Sequence, residues 1–554
     1  MGNKLELTWV GKYDEINLEP RILVENKIKS YGDAESENML IHGDNLLALK
    51  SLESEYTNKI KCIYIDPPYN TGSAFELYDD NLEHSIWLNL MKIRLELLKK
   101  LLSEDGVIYI QIDDIEYAYL KIICDEIFGR QNFVTTIAVK MSTPSGVKLS
   151  HRDKKILKIK EFILVYAKDR NNLKFNPQYK PKTEWDNYYE WYVDKNGEDS
   201  EKWKVYPLKE ILKKNGIDEM DINDKKFKEF YLKNADKIWQ RGRNTNIPEE
   251  VLKKSQSNWE TVFEYTNGDD GEKQYCYKGR RMAFLSKVVK ECIDNNGKKV
   301  NDIGTLICDF WEDISTAALF SEGKVSFPNG KKPETLIQRV LELSSNEGDL
   351  VLDSFLGSGT TIAVANKMNR KWIGIEMGEH CYTHCIPRIN SVIDGTDKTG
   401  ISKAIDWKGG GGYKFYELAP TLINTDSFGE AIINKEYNAD MLASAVALHE
   451  GFKYNPSKEK FWKQSEGNEK SYLYVTTKFF NKEDIENIKT DMEDNEFLII
   501  ACTAYDKDIE GLYKNIKIKK IPEMLLAKCE FGKENYNLNI INPPEYEEEI
   551  EDDE

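Results

Sequence analysis

Ile60-Lys-Cys-Ile-Tyr-Ile65 followed at once by Asp66-Pro67-Pro68-Tyr69, and, far downstream, Asp353-Ser-Phe355-Leu-Gly357-Ser-Gly359-Thr360-Thr361, are the stretches on which the reading of this chain turns. The first is a short apolar run that stops abruptly at an acid and two prolines. Proline lacks an N–H and cannot extend a central strand, so the run reads as a strand whose carboxyl end is Asp66. Working outward, residues 39–42 and 106–112 read as further strands, and 160–167 as a fourth. The segments 45–54, 87–102 and 116–128 carry apolar residues at helical spacing between them. The alternation returns around the second stretch, with a helix over 333–344, a strand over 349–353, a helix from Ser358 and a strand over 371–376. Strands alternating with helices predict an α/β fold: a doubly wound, mainly parallel sheet with helices on both faces.

In such a sheet, ligands sit beyond the carboxyl ends of the strands, where both stretches fall. The prolines fix the backbone, so the Asp66 carboxylate and the Pro67 carbonyl can face an amine that offers two hydrogens. The Tyr69 ring offers a face on which a base can stack. The glycines of the second stretch permit a tight turn and close approach of a ligand to the backbone. Glu376 ends the next strand about twenty residues on, the spacing at which an acid holds ribose hydroxyls in nucleotide-binding α/β folds. A phosphate ligand fits poorly, because no Gly-Lys-Ser/Thr follows and Asp353 would repel it; a cationic ligand such as a sulfonium suits the loop better.

Between the two halves the rhythm breaks. The expected organisation is an arm over 1–36, a catalytic half over 37–169, an inserted domain over 170–309 and a cofactor half over 310–408. A small C-terminal domain over 409–544 and an acidic tail over 545–554 complete it. The run Gly409 to Gly412 marks a domain edge. The net charge of −18 argues against a broadly basic surface but not against a local basic stripe. No apolar run is long enough for a membrane span and no export signal opens the chain, and the nine cysteines lack a framework spacing. A cytoplasmic protein with reduced thiols is expected.

Asp-Pro-Pro-Tyr and Phe-x-Gly-x-Gly, in this order and with an insertion between them, resemble the permuted β class of amino-methyltransferases of DNA. The resemblance covers most of residues 36–395. It is nearest to the modification subunits of type III restriction–modification systems, on Asp66-Pro-Pro-Tyr-Asn70-Thr71-Gly72, His42-Gly43-Asp44-Asn45-Leu46, Lys332-Pro333, Leu18-Glu-Pro-Arg21 and Tyr413-Lys-Phe-Tyr416. It implies a Rossmann-like methyltransferase core that binds S-adenosylmethionine, with the insertion as target-recognition domain. The substrate implied is an adenine flipped out of double-stranded DNA and methylated at N6; a serine in place of Asp66 would have favoured cytosine N4. Catalysis falls to Asp66, Pro67, Pro68 and Tyr69. The cofactor falls to Phe355, Gly357, Gly359, Thr360 and Thr361 with Asp353 and Asn45, to Glu376 at the ribose, to Asp44 near the adenine, and to Lys332 near the carboxylate. A homodimer and a separate helicase–nuclease restriction subunit are the implied partners. A solitary adenine methyltransferase and a recognition subunit with vestigial methylation stay open.

Asn70, Thr71, Arg241, Arg243, Arg280 and Arg281 are the candidate DNA contacts, the arginines because they lie in the aromatic-rich insertion. His380-Cys381-Tyr-Thr-His384-Cys385 has the look of a metal cluster. On a helix, however, it reads better as two inward-packed thiols with two histidines that cap or meet solvent, and no metal is expected.

Overall fold

The computed structural model describes residues 6–14, 16–70, 84–142, 156–244, 246–266, 271–295, 297–316, 319–327, 330–526 and 528–533. Thr71 and the acidic tail lie outside them. The chain divides into two units, one formed by residues 1–176 and 309–554 and the other by 177–308.

The first unit is built on an 11-stranded sheet. Along the chain it contains β1 (Leu23–Glu25), β2 (Met39–His42), α1 (Asn45–Tyr56), β3 (Ile60–Ile65), α2 (His84–Leu101), β4 (Leu102–Ile112), α3 (Tyr117–Cys124), β5 (Phe133–Lys140) and β6 (Lys160–Ala167). After the insertion come β7 (Phe310–Trp311), α4 (Glu334–Ser344), β8 (Leu350–Asp353), α5 (Thr360–Lys367), β9 (Lys371–Glu376), α6 (Ile386–Ile393) and β10 (Gly412–Leu418). The spatial order is β1-β10-β2-β9-β8-β3-β4-β6-β5-β7, with Tyr31–Gly32 also paired to β10. The central run from β10 to β4 is parallel, and β6 reverses direction against both β4 and β5. Central strands covered on both faces should be apolar throughout. Accordingly Ile63, Ile65, Ile108, Ile110, Leu352 and Ile373 are buried in one core with Leu46, Leu49, Trp87, Met91 and Leu95 of the flanking helices.

Two expected boundaries move. Leu23–Glu25, placed in an arm, and Gly412–Leu418, placed in the C-terminal domain, pair with each other antiparallel, and β10 lies beside β2 in the main sheet. The arm residue Glu19 is fully buried. Its carboxylate accepts from the Leu422 N–H (2.8 Å) and the Thr421 hydroxyl (2.8 Å), tying the start of the chain to the segment after β10. The separate C-terminal layer is a five-stranded sheet in which Ser471–Phe480, Phe497–Tyr505 and Ile516–Lys520 run parallel.

The second unit carries a six-stranded antiparallel sheet and a three-stranded sheet around aromatic cores. No helix among the described residues is long and apolar enough to cross a membrane.

Candidate active site

Because β3 and β8 are parallel neighbours, with Leu352 opposite Ile63, the segments leaving their carboxyl ends emerge side by side. Those segments are the Asp-Pro-Pro-Tyr tetrad and the glycine loop. The tetrad's backbone is pinned by the Trp87 indole, which donates to the Pro68 carbonyl at 2.7 Å. Asn70 follows in the left-handed region (φ 55°), and its amide donates to Oε1 of buried Glu116 at 2.9 Å. That contact gives Asn70 a structural task besides the expected one at DNA.

Both Asp66 oxygens are engaged. Oδ1 accepts from the Tyr69 hydroxyl at 2.7 Å and Oδ2 from the Lys332 ammonium at 2.7 Å. The Tyr69 hydroxyl also lies 3.0 Å from Glu161 Oε2, and a hydroxyl has one proton, so it serves one carboxylate at a time. Lys332 Nζ is 3.7 Å from Glu161 and 5.1 Å from the Tyr69 ring centre. Gln111 donates to Glu161 through its amide and accepts from Tyr64 through its oxygen, which fixes Glu161 from behind. Burial raises the Asp66 carboxyl above the usual carboxylate range; the Glu161 charge adds to this, while Lys332 and Tyr69 oppose it. Burial pulls the Lys332 ammonium down, but Asp66 and Glu161 outweigh it and leave it above its ordinary value. Lys332, expected at the cofactor carboxylate, is thus found on the Asp66 carboxylate.

In the glycine loop, Asp353 folds the turn onto itself: it accepts from the Phe355 N–H (3.0 Å) and the Thr361 hydroxyl (2.6 Å). Gly357 (φ 55°) and Gly359 (φ 77°) take the left-handed backbone that a side chain would strain. Among the described residues, a Cβ on Gly357 would come no nearer than 3.8 Å to the Phe327 ring, an ordinary van der Waals contact, so no described group crowds the loop on that side. Glu376 Oε2 accepts from the Gly357 N–H at 2.6 Å, which fastens the end of β9 to the loop. Asp44 caps α1 through the Leu46 and Leu47 N–H groups and pairs with Arg94 at 3.2 Å, and the Asn45 amide donates to the Ser354 carbonyl at 2.7 Å. These two residues therefore brace the loop from the β2 side. Burial, with the charges of Asp66 and Glu376 adding, pushes the Asp353 carboxyl up to about 7.

Thr360 faces inward. Its hydroxyl accepts from Arg388 at 2.8 Å, and Arg388 pairs with Glu334 at 2.9 Å. Glu334 also holds Lys367 (2.7 Å), which in turn holds Asp397 (2.7 Å), and all four charged side chains are fully buried. This ionic knot lies directly behind the loop.

Cys381 and Cys385 pack inward, but His380, expected at the cap or in solvent, is buried and lies 2.9 Å from Glu376 Oε1. The carboxylate at the end of β9 supplies the partner that lets the ring be buried. His384 contacts the Ser326 carbonyl at 2.8 Å, and no group of three or more metal-ligating side chains occurs among the described residues.

Within the second unit, Arg241 faces Met282 across paired strands, so Arg241 and Arg280 share one sheet face and Arg281 points to the other. Arg241 stacks over Trp191 at 5.2 Å, and Arg241, Arg243 and Arg280 are exposed. The four arginines therefore do not form one patch on a single face.

The family model for DNA methylases matches residues 60–386, more than half of the chain, and spans both the tetrad and the loop. The chain belongs to that family. It is 37% identical over 472 residues to the probable type III restriction-modification enzyme HindVI Mod subunit of Haemophilus influenzae, covering 78% of this chain and 61% of that one. The EcoP15I Mod subunit of Escherichia coli is 26% identical over 535 residues, covering 80% and 77%, and the EcoPI Mod subunit of Escherichia phage P1 is 28% identical over 420, covering 66% and 61%. This methylase thus spans about three fifths of the length of the first and third of these relatives. Sequence reasoning had found the tetrad and loop of the methylase; it missed Glu161, Gln111, Glu334 and Arg388. A glutamine inside the apolar run 106–112 was the available signal for the first pair.

Proposed function

We propose that this chain is the modification and recognition subunit of a type III restriction–modification system, methylating N6 of an adenine flipped out of double-stranded DNA. The supporting observation is that Asp66 and Tyr69 emerge beside the glycine loop on neighbouring parallel strands. S-adenosylmethionine supplies an electrophilic methyl on a sulfonium. The uncrowded backbone at Gly357, with the carboxylates of Asp353, Asp66 and Glu376 acting on one another nearby, supports a cationic nucleoside as the ligand. Asp66 and the Pro67 carbonyl accept the two amine hydrogens and aim the nitrogen lone pair, and the Tyr69 ring stacks on the extruded base. When bound, S-adenosylmethionine would be the methyl donor to this nitrogen, and Asp66 would take the proton that the methylated nitrogen sheds. No thiol is required, which agrees with burial pushing Cys62 up to about 12. Residues 177–308 read the target, a second copy completes the modification enzyme, and a separate restriction subunit docks on it. Asp at position 66 rather than Ser supports adenine over cytosine.

Long-read sequencing of DNA from cells expressing the chain should show N6-methyladenine at nearly every copy of one short asymmetric motif, on one strand. N4-methylcytosine alone would overturn the base assignment, and no mark at all from well-expressed protein would overturn the function.

Cofactor affinity should depend on pH through Asp353. A carboxyl raised in the folded chain gives stability that is complete below its unfolded value of about 4 and lost as pH rises through about 7. A bound sulfonium favours the ionised form, so S-adenosylmethionine should bind more tightly as pH climbs towards 7, by up to about tenfold per unit. The neutral sulfur of S-adenosylhomocysteine should show a flatter profile. Calorimetric titrations at several pH values check this, and Asp353→Asn should remove the difference between the two ligands.

A further inference from the structure

Lys332 touches the carboxylate that is to hold the amine, yet it has no part in the transfer just described. Its backbone is fixed, because its carbonyl accepts from the Thr360 hydroxyl at 3.2 Å and Pro333 follows. Its ammonium is not: it ends a flexible four-carbon stem and lies between two carboxylates, 2.7 Å from Asp66 Oδ2 and 3.7 Å from Glu161 Oε2. The two seats are held differently. Asp66 Oδ1 accepts from the Tyr69 hydroxyl, which leaves Oδ2 to the ammonium, whereas Glu161 is anchored by Gln111, itself tied to Tyr64 in the neighbouring strand. With side-chain exposures of 9% for Lys332, 18% for Asp66 and 19% for Glu161, the pocket is poorly solvated. A cation there cannot be released to water cheaply, so it must keep a carboxylate partner. Yet an oxygen already saturated by an ammonium is a poor acceptor for a weakly acidic amine.

We propose that Lys332 is a two-seat counterion, resting on Asp66 while the site awaits a base and shifting to Glu161 when the amine takes Asp66 Oδ2. Glu161 is then a positioning residue, the second seat without which the ammonium stays in the amine's way. This rests on the reading of Asp66 as the amine acceptor.

The test uses the full-length chain, unmethylated genomic DNA and labelled S-adenosylmethionine, with Glu161→Gln, Glu161→Asp and Lys332→Met beside the wild type. Glu161→Gln should lower kcat about 10- to 100-fold, less than the roughly 10²–10³-fold cost of losing a preorganised group that contacts the reacting atoms, with cofactor Kd changed less than about twofold. Glu161→Asp should recover part of the loss. The groups facing Asp66 are Lys332 ahead of α4, Glu161 on β6, Tyr64 and Tyr69 around the end of β3, and Asp353 on β8. Removing the like charge of Glu161 should move the acid limb of the kcat–pH profile to lower pH, and removing Lys332 should move it to higher pH. A packing role alone would move neither limb. The proposal is overturned if Glu161→Gln keeps wild-type kcat, if both limbs move the same way, or if cofactor affinity falls in step with kcat. An inert wild type would instead sink the assigned function, and this inference with it.

Discussion

Asp66→Ala should abolish methyl transfer, with a fall of at least about 10²–10³-fold in kcat, while the cofactor still binds with nearly wild-type affinity. The split follows from where the side chain points. Its two oxygens meet Tyr69 and Lys332 at 2.7 Å each, both outside the glycine loop. That loop is held instead by Asp353, by Glu376 and by Asn45. Tyr69→Ala should fall by a comparable factor through lost stacking, and Tyr69→Phe by less, because the ring remains. Single-turnover transfer assays beside calorimetric cofactor titration read the two quantities separately. An Asp66→Ala variant that still transfers, or one that loses cofactor binding as steeply as activity, would refute the assigned role.

The largest loss of stability is expected at Glu334. Its carboxylate meets Arg388, Lys367 and the Ile401 N–H, all out of solvent. Removing one partner of a buried ionic group leaves the others charged and unpaired, which costs about 3–5 kcal/mol. Glu334→Ala leaves Asp397 to Lys367 but takes from Arg388 the carboxylate it pairs with at 2.9 Å. In a unit this large the melting temperature should fall by about 3–6 °C. Glu334→Gln, which keeps the shape and some hydrogen bonds, should lose less. Because Arg388 also donates to the Thr360 hydroxyl and the Ser358 carbonyl, cofactor affinity should drop with stability. Thermal scans with and without cofactor separate the two, and a melting point unchanged in Glu334→Ala would refute the account.

The contrast between these residues shows what the sequence could disclose. Asp66 and Gly357 were legible because their chemistry is local: prolines and glycines constrain the backbone where they stand, and an acid at a strand end has few other uses. Glu334, Arg388 and Glu161 act through partners 54, 54 and 92 positions away along the chain. No periodicity marks such pairs, and a glutamate at the start of an amphipathic helix reads as an ordinary first-turn acid. The edge of the sheet was obscured for a related reason. The strand β10 follows a glycine run and pairs with β2 and β1, so only tertiary pairing shows that it belongs to the first sheet rather than the last. His380 was misread because a histidine near a helix start is usually wet, and its neighbour Glu376 was assigned wholly to the ligand.

The strand order also sets a timetable for synthesis. β2 and β3 are close in sequence, but β9 and β8, from residues 350–376, lie between them in the sheet. While the ribosome is still making the insertion, both strands wait with open hydrogen-bonding edges, and β2 waits further for residues 412–418 on its other side. Pairings this distant close slowly, and bare edges invite the wrong neighbour. A chain halted before residue 350 would therefore be an adhesive fragment rather than a smaller enzyme.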